Sequence, residues 1–236
     1  MMVRSFCILL FIAFLSGCTK HEDSSISGTV TLAGACPMNA ACTSSVDGAC
    51  KHDGVTLQHW IVNNGHVANA LIWIKDGLGN TVYPAPEEAL TLDQRGCVYE
   101  PHVIGLMAGQ TLKILNSDPT LHNVHLISAT PSEDFNKLFL QGMPAMEEKF
   151  QTVGIREIKC DVHNWMNCYV GVFSNPFFAV SDSNGHYEID GLPSGKYTLE
   201  LWHESSDGLN NPIIQDEQVS IGEKEKKSAD FTISAR

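Results

Sequence analysis

An all-β chain is what this sequence predicts, on three grounds. Its apolar stretches are short and rich in β-branched and aromatic residues. Turn formers such as Asn184-Gly185 and Pro193-Ser194-Gly195 separate them. No stretch sustains a 3.6-residue apolar stripe long enough for a major helix. The runs SGTVTL, NALIWIKDG, TLKILN, NVHLIS, EKFQTVGIREIK, YVGVF, HYEID, KYTLELW and DFTISA therefore read as strands, and their number and spacing predict β-sandwiches. APEEALTLDQ and SEDFNKLFLQG predict short helical turns at most.

The first element is a targeting run. Arg4 supplies a positive start, and Phe6 to Leu15 is unbroken apolar sequence, too short to span a bilayer. It ends in Leu15-Ser16-Gly17-Cys18, which resembles the lipobox of bacterial lipoproteins. That resemblance implies removal of residues 1–17 as a signal peptide, acylation of Cys18, and a lipid anchor in the cell envelope. The anchored chain would face the periplasm, and Thr19 in place of Asp points to the outer membrane. Residues 18–25 then form a polar tether.

Val180 to Glu204 resembles the closing half of a carboxypeptidase regulatory-like, or transthyretin-like, domain: a strand, a D-x-x-G hairpin, a strand, L-P-x-G and a final strand. Ser27-Gly28-Thr29-Val30 and Ala68 to Ile74 fit its opening strands. The resemblance therefore brackets the middle of the chain. It implies a split outer sandwich, residues 26–81 and 173–236, with a second β domain over 82–172 inserted in it or adjacent to it.

The middle stretch carries the chemistry. Cys160-x-x-His163-x-x-Met166 places a thiol, an imidazole and a thioether in one bend. Thiolate and imidazole bind copper strongly, and a thioether is a soft ligand that prefers copper to hard cations. A trigonal His2Cys set with an axial Met needs a second histidine from elsewhere. Asn116 to His125 (NSDPTLHNVH) offers one, a turn followed by His122 at the head of an apolar strand. Here the chain resembles cupredoxins of the plastocyanin and amicyanin type, over roughly residues 97 to 172. By that resemblance the fold is a Greek-key sandwich, and His122, Cys160, His163 and Met166 hold one mononuclear type 1 copper. Asn123 would brace the ligand loop by hydrogen bonds. His163 would sit at the rim under an apolar docking patch, extended by Trp165. Asn164-Trp165 replaces the amicyanin-type Pro-Phe, and Cys168 leaves open a bridge to Cys160 or a competing thiol ligand.

His102 and His125 are further candidates for a metal, and Met143 and Met146 for transient Cu(I) contact. On a strand, His125 points away from the face of His122. His203 and Glu204 end a strand of the outer sandwich, and Glu223 to Lys227 (EKEKK) reads as a solvated turn. Export permits disulfides. With Cys7, Cys18 and Cys160 set aside, Cys36, Cys42, Cys50, Cys97 and Cys168 remain, an odd number whose pairing is open.

Removing residues 1–17 takes away Arg4 and no carboxylate, so the rest is one unit more negative than the formal net charge of −12. That argues against nucleic acid as a partner. No hydrolase triad, phosphate loop or paired-carboxylate motif points to an enzyme. The resemblance implies a one-electron carrier meeting cytochrome or dehydrogenase partners, and the two-part layout resembles that of methylamine-utilisation proteins. Copper trafficking or storage, and carbohydrate or protein binding by the outer sandwich, stay open at this level.

Overall fold

Strict alternation builds the strands. In His186–Leu192 the side chains of Tyr187, Ile189 and Leu192 are buried, while His186, Glu188 and Asp190 face water. One face of each ribbon thus has a core to join. This computed structural model describes residues 24–37, 50, 59–128, 130–205 and 208–235. The signal run, Cys7, Cys18 and Cys42 lie outside the described residues.

The chain is all-β and runs through two pairs of sheets. Strands β1 (Ser24–Ala33), β2 (Val62–Asn63), β3 (His66–Val67) and β4 (Leu71–Asp76) come first. Then follow β5 (Leu90–Arg95), β6 (Val98–Glu100), β7 (Val103–Met107), β8 (Thr111–Asn116), β9 (His122–Ile127), β10 (Phe135–Phe139), β11 (Met146–Lys149), β12 (Gly154–Lys159) and β13 (Asn167–Phe173). The last are β14 (Phe178–Val180), β15 (His186–Leu192), β16 (Gly195–Ser205), β17 (Gly208–Ile221), β18 (Lys226–Ser228) and β19 (Phe231–Ser234).

Strands from both chain ends share sheets. One sheet has the order β15-β1-β3-β2, with β18 and β19 also on β1, and the facing one is β14-β4-β16-β17. Ile26, Val30, Ile72, Leu199, Leu201 and Phe231 fill the space between them. Strands β5 to β13 form sheets of their own, β10-β9-β12-β13-β7 and β11-β8-β5-β6, around Leu92, Leu106, Leu112, Val124, Leu126 and Val172. The chain passes repeatedly from one inner sheet to the other, the habit of a Greek-key sandwich.

The two units meet where β13 and β7 present Tyr169, Phe173 and Val103 to Leu71 and Trp202. Gly171 and Gly105 are register partners on those strands. A Cβ on either would come within 2.7–2.8 Å of the ring of Phe178 or Phe173, so this join needs glycine at both positions.

Several expectations change. Ser24 and Ser25 belong to β1 rather than to the tether: both are buried, and Ser24 Oγ donates to the Gly222 carbonyl at 2.8 Å. Residues 90–94 of APEEALTLDQ lie in β5 instead of a helical turn, because parallel pairing with β8 buries Leu92. Of SEDFNKLFLQG only Ser132 and Glu133 are helical, in the turn Pro131–Glu133 before β10. EKFQTVGIREIK is two strands: β11 pairs with β8 in one sheet, β12 with β9 and β13 in the other, and Gly154 at φ 141° enters the second. Lys226 and Lys227 lie in β18, exposed as a turn would be, yet parallel to β1.

Candidate metal centre

Two loops at one end of the inner sandwich build the site. The first joins β8 to β9 and is shaped by Asn116, whose amide donates to the carbonyls of Thr120 and Phe139 at 2.9 Å and whose Oδ1 accepts from Asp118 N at 3.0 Å. Such Asx contacts substitute for backbone pairing in a turn. They deliver His122 to the first position of β9, where its partner on β10 is Phe139 and its ring is fully buried.

The second loop joins β12 to β13. Cys160 N donates to the Met166 carbonyl and Met166 N to the His163 carbonyl, each at 2.9 Å, so the bend closes on itself. The Cys160 sulfur accepts from His163 N at 3.4 Å and from Asn123 N at 3.5 Å. Asn123 holds the loop from outside: its Oδ1 accepts from Asp161 N at 2.6 Å and Val162 N at 3.4 Å, and its amide donates to Asn136 Oδ1 and Asp161 Oδ2.

These loops bring donors together. Cys160 Sγ lies 3.9 Å from His122 Nδ1 and 3.8 Å from His163 Nδ1, and the two Nδ1 atoms are 2.8 Å apart. His122, Cys160, His163 and Met166 are 0%, 1%, 2% and 1% exposed, so the cluster is shut off from water. Two imidazole nitrogens and a sulfur meeting at one point, with a buried thioether in the same bend, fit a soft or borderline metal such as copper.

The far edges of both rings are also occupied. His122 Nε2 lies 2.9 Å from Asp118 Oδ2, and His163 Nε2 lies 3.4 Å from Cys50 Sγ. Cys50 is bridged to Cys97. Trp165 Nε1 donates to the Cys97 carbonyl at 2.9 Å, and its ring lies 5.2 Å from that of His163. His163 therefore does not sit at an open rim: the Cys50–Cys97 bridge and Trp165 cover it. Cys97, Asp118 and His122 form a second cluster of metal-binding residue types, but the Cys97 sulfur is committed to the bridge.

Cys160 and Cys168 are both free, so they form no bridge with each other; burial first of all pushes the Cys168 thiol well above its usual range. His125 turns outward to Asp161 at 2.9 Å, and His125 foremost draws that carboxyl down to about 2. His102 joins Glu204 instead of the donor cluster. Glu204, expected at the end of an outer-sandwich strand, also binds the inner sandwich through His102. Met143 Sδ accepts from Leu140 N at 3.2 Å.

Sequence reading missed Asp118 and the Cys50–Cys97 pair. Asp118-Pro119 was visible only as part of a turn, and nothing in the spacing ties Cys97 to the ligand loop.

No family model matches this chain, and no curated protein matches it. Its structural neighbours are cupredoxins, at low coverage. A purple cupredoxin from Nitrosopumilus maritimus is 21% identical, over 36% of this chain and 99% of that one, with a TM-score of 0.31. An amicyanin mutant in its reduced state is 20% identical, over 43% and 98%, at 0.34. Another amicyanin mutant, in its oxidised state, is 22% identical, over 43% and 98%, also at 0.34.

Proposed function

We propose that the inner sandwich holds one copper ion at His122, Cys160, His163 and Met166 and acts as a one-electron carrier rather than an enzyme. The lipid on Cys18 would tether it to the envelope membrane, where cytochrome- or dehydrogenase-type proteins are its partners. The observation that carries this reading is the meeting of His122 Nδ1, His163 Nδ1 and Cys160 Sγ in a buried pocket.

Bound copper would supply a one-electron couple at that point. The protein's own groups do the remaining work. The loop closes through Cys160 N and Met166 N, and Asn123 ties it to β9 and β10, so the donors are held by a framework that resists rearrangement. Burial keeps water from the site, which suits a carrier that binds no substrate. It also disfavours trafficking, because a donor set shut away from solvent gives up its ion slowly.

The test is the visible and EPR spectrum of the Cu(II)-loaded full chain. A strong thiolate-to-copper band in the red that vanishes in Cys160→Ser is expected. A colourless copper-loaded chain would overturn the reading.

A further inference from the structure

The outer nitrogen of His122 meets a group built to receive it. Asp118 is 6% exposed, and its carboxylate collects three nitrogens: Gly96 N at 2.6 Å on Oδ1, Cys97 N at 2.8 Å on Oδ2, and His122 Nε2 at 2.9 Å on Oδ2. Its own backbone N is fixed by Asn116. Gly96 and Cys97 are the two central residues of the β5–β6 hairpin, where Arg95 pairs with Val98, and their φ angles of 64° and 57° belong to a type I′ turn. A non-glycine residue at positive φ is uncommon, and here the bridge to Cys50 anchors it.

We infer that Asp118 is the positioning residue for His122, holding its ring as the tautomer that carries hydrogen on Nε2 and leaves the Nδ1 lone pair aimed at the donor cluster. Exclusion decides between the two neutral tautomers. Both oxygens of the carboxylate already accept backbone N–H groups, so the edge turned to His122 is an acceptor. With hydrogen on Nδ1 instead, the Nε2 lone pair would face the carboxylate oxygen at 2.9 Å, two acceptors in contact with water excluded. Gly96 N and Cys97 N already hold the carboxylate, so it cannot swing aside without stranding buried donors. The 2.8 Å contact between the two Nδ1 atoms then takes its hydrogen from His163. The use of this arrangement rests on the copper reading: a carboxylate behind a ligand imidazole fixes the ring and raises its basicity. The arrangement itself does not.

The experiment is a long-range proton–nitrogen-15 correlation spectrum of the metal-free full chain, with His122 assigned through its loss in His122→Gln. His122 should appear with hydrogen on Nε2, and that state should be lost or mixed in Asp118→Asn. Cu(II) affinity in Asp118→Asn should fall about ten- to a hundred-fold and the reduction potential should rise, because a negative charge behind the ligand is gone. A native His122 with hydrogen on Nδ1 overturns the inference, as does an Asp118→Asn chain with unchanged tautomer and affinity. Should that variant not fold, the native spectrum still decides. A native chain that shows the Nε2 tautomer but takes up no copper supports the positioning role and defeats the copper reading instead.

Discussion

Asn123 uses every polar atom of its side chain on the ligand loop and its neighbour strand, two N–H groups of residues 161 and 162 on Oδ1 and two oxygens on Nδ2. It is itself 3% exposed, so its removal both opens a buried space and frees the bend it holds. Asn123→Ala should cost about 1–3 kcal/mol in urea unfolding, in line with the loss of several hydrogen bonds. Copper loss to a chelator should quicken in the same variant, and a loop that holds its ion as long as before would show that Asn123 is not what closes it. Residues of this kind divide sharply in how visible they are. His163 and Met166 stand three positions apart in one bend with Cys160, so spacing alone suggests a donor set. Asp118 stands only four positions before His122, but its carboxylate is held by backbone N–H groups of a hairpin turn some twenty residues earlier in the chain, and no local pattern announces that contact.

Strands were legible where alternation was strict. Tyr187 and Ile189 between exposed charges made β15 plain in the sequence, and the His122 strand declared itself by its apolar run. Leu90–Arg95 was not: its parallel partner β8 begins some twenty residues later, and the hairpin that joins it to β6 turns on Gly96-Cys97, whose cysteine is not a usual turn former. The break between β11 and β12 was hidden for a related reason: Lys149 to Ile155 keeps a strand-like composition while the chain changes sheet. The Cys50–Cys97 bridge belongs to this scale too, since it fastens an early segment to the β5–β6 hairpin across 47 residues. Closing a loop of that length should contribute about 4 kcal/mol by chain entropy. The Cys50→Ser/Cys97→Ser variant should unfold at correspondingly lower urea. It should also uncover His163, which is 2% exposed in the native chain. Diethyl pyrocarbonate labelling read by mass spectrometry should therefore modify His163 in the variant and spare it in the native protein. Equal protection in both would mean that Trp165 alone covers the ring.

In the molecule as a whole, a buried carboxylate lies on the join between the two sandwiches. Glu204 closes β16 of the outer sandwich; His59, just before β2, sits on its Oε2 at 2.5 Å, and His102 of the inner sandwich binds its Oε1. His102 Nδ1 in turn faces the carbonyl of Asn167, next to Met166, so the join touches the end of the ligand loop. Burial by itself would raise the Glu204 carboxyl, but the hydrogen bonds from His102 and His59 outweigh it and bring it to about 2. The hydrogen bond to Glu204, partly opposed by burial, raises His59 above its usual 6.5. The two shifts set opposite limits. A raised histidine contributes its full stability below 6.5, and that stability is lost as pH climbs through the raised value. A lowered carboxyl contributes above its ordinary 4.5, and its stability is lost as pH falls towards about 2. The join should therefore be strongest between 4.5 and 6.5. Thermal midpoints of the native chain and of Glu204→Gln, measured across pH, should differ most in that window and converge on both sides. A gap that stays constant with pH would mean that packing of Tyr169, Phe173 and Trp202, rather than charge on Glu204, holds the two sandwiches together.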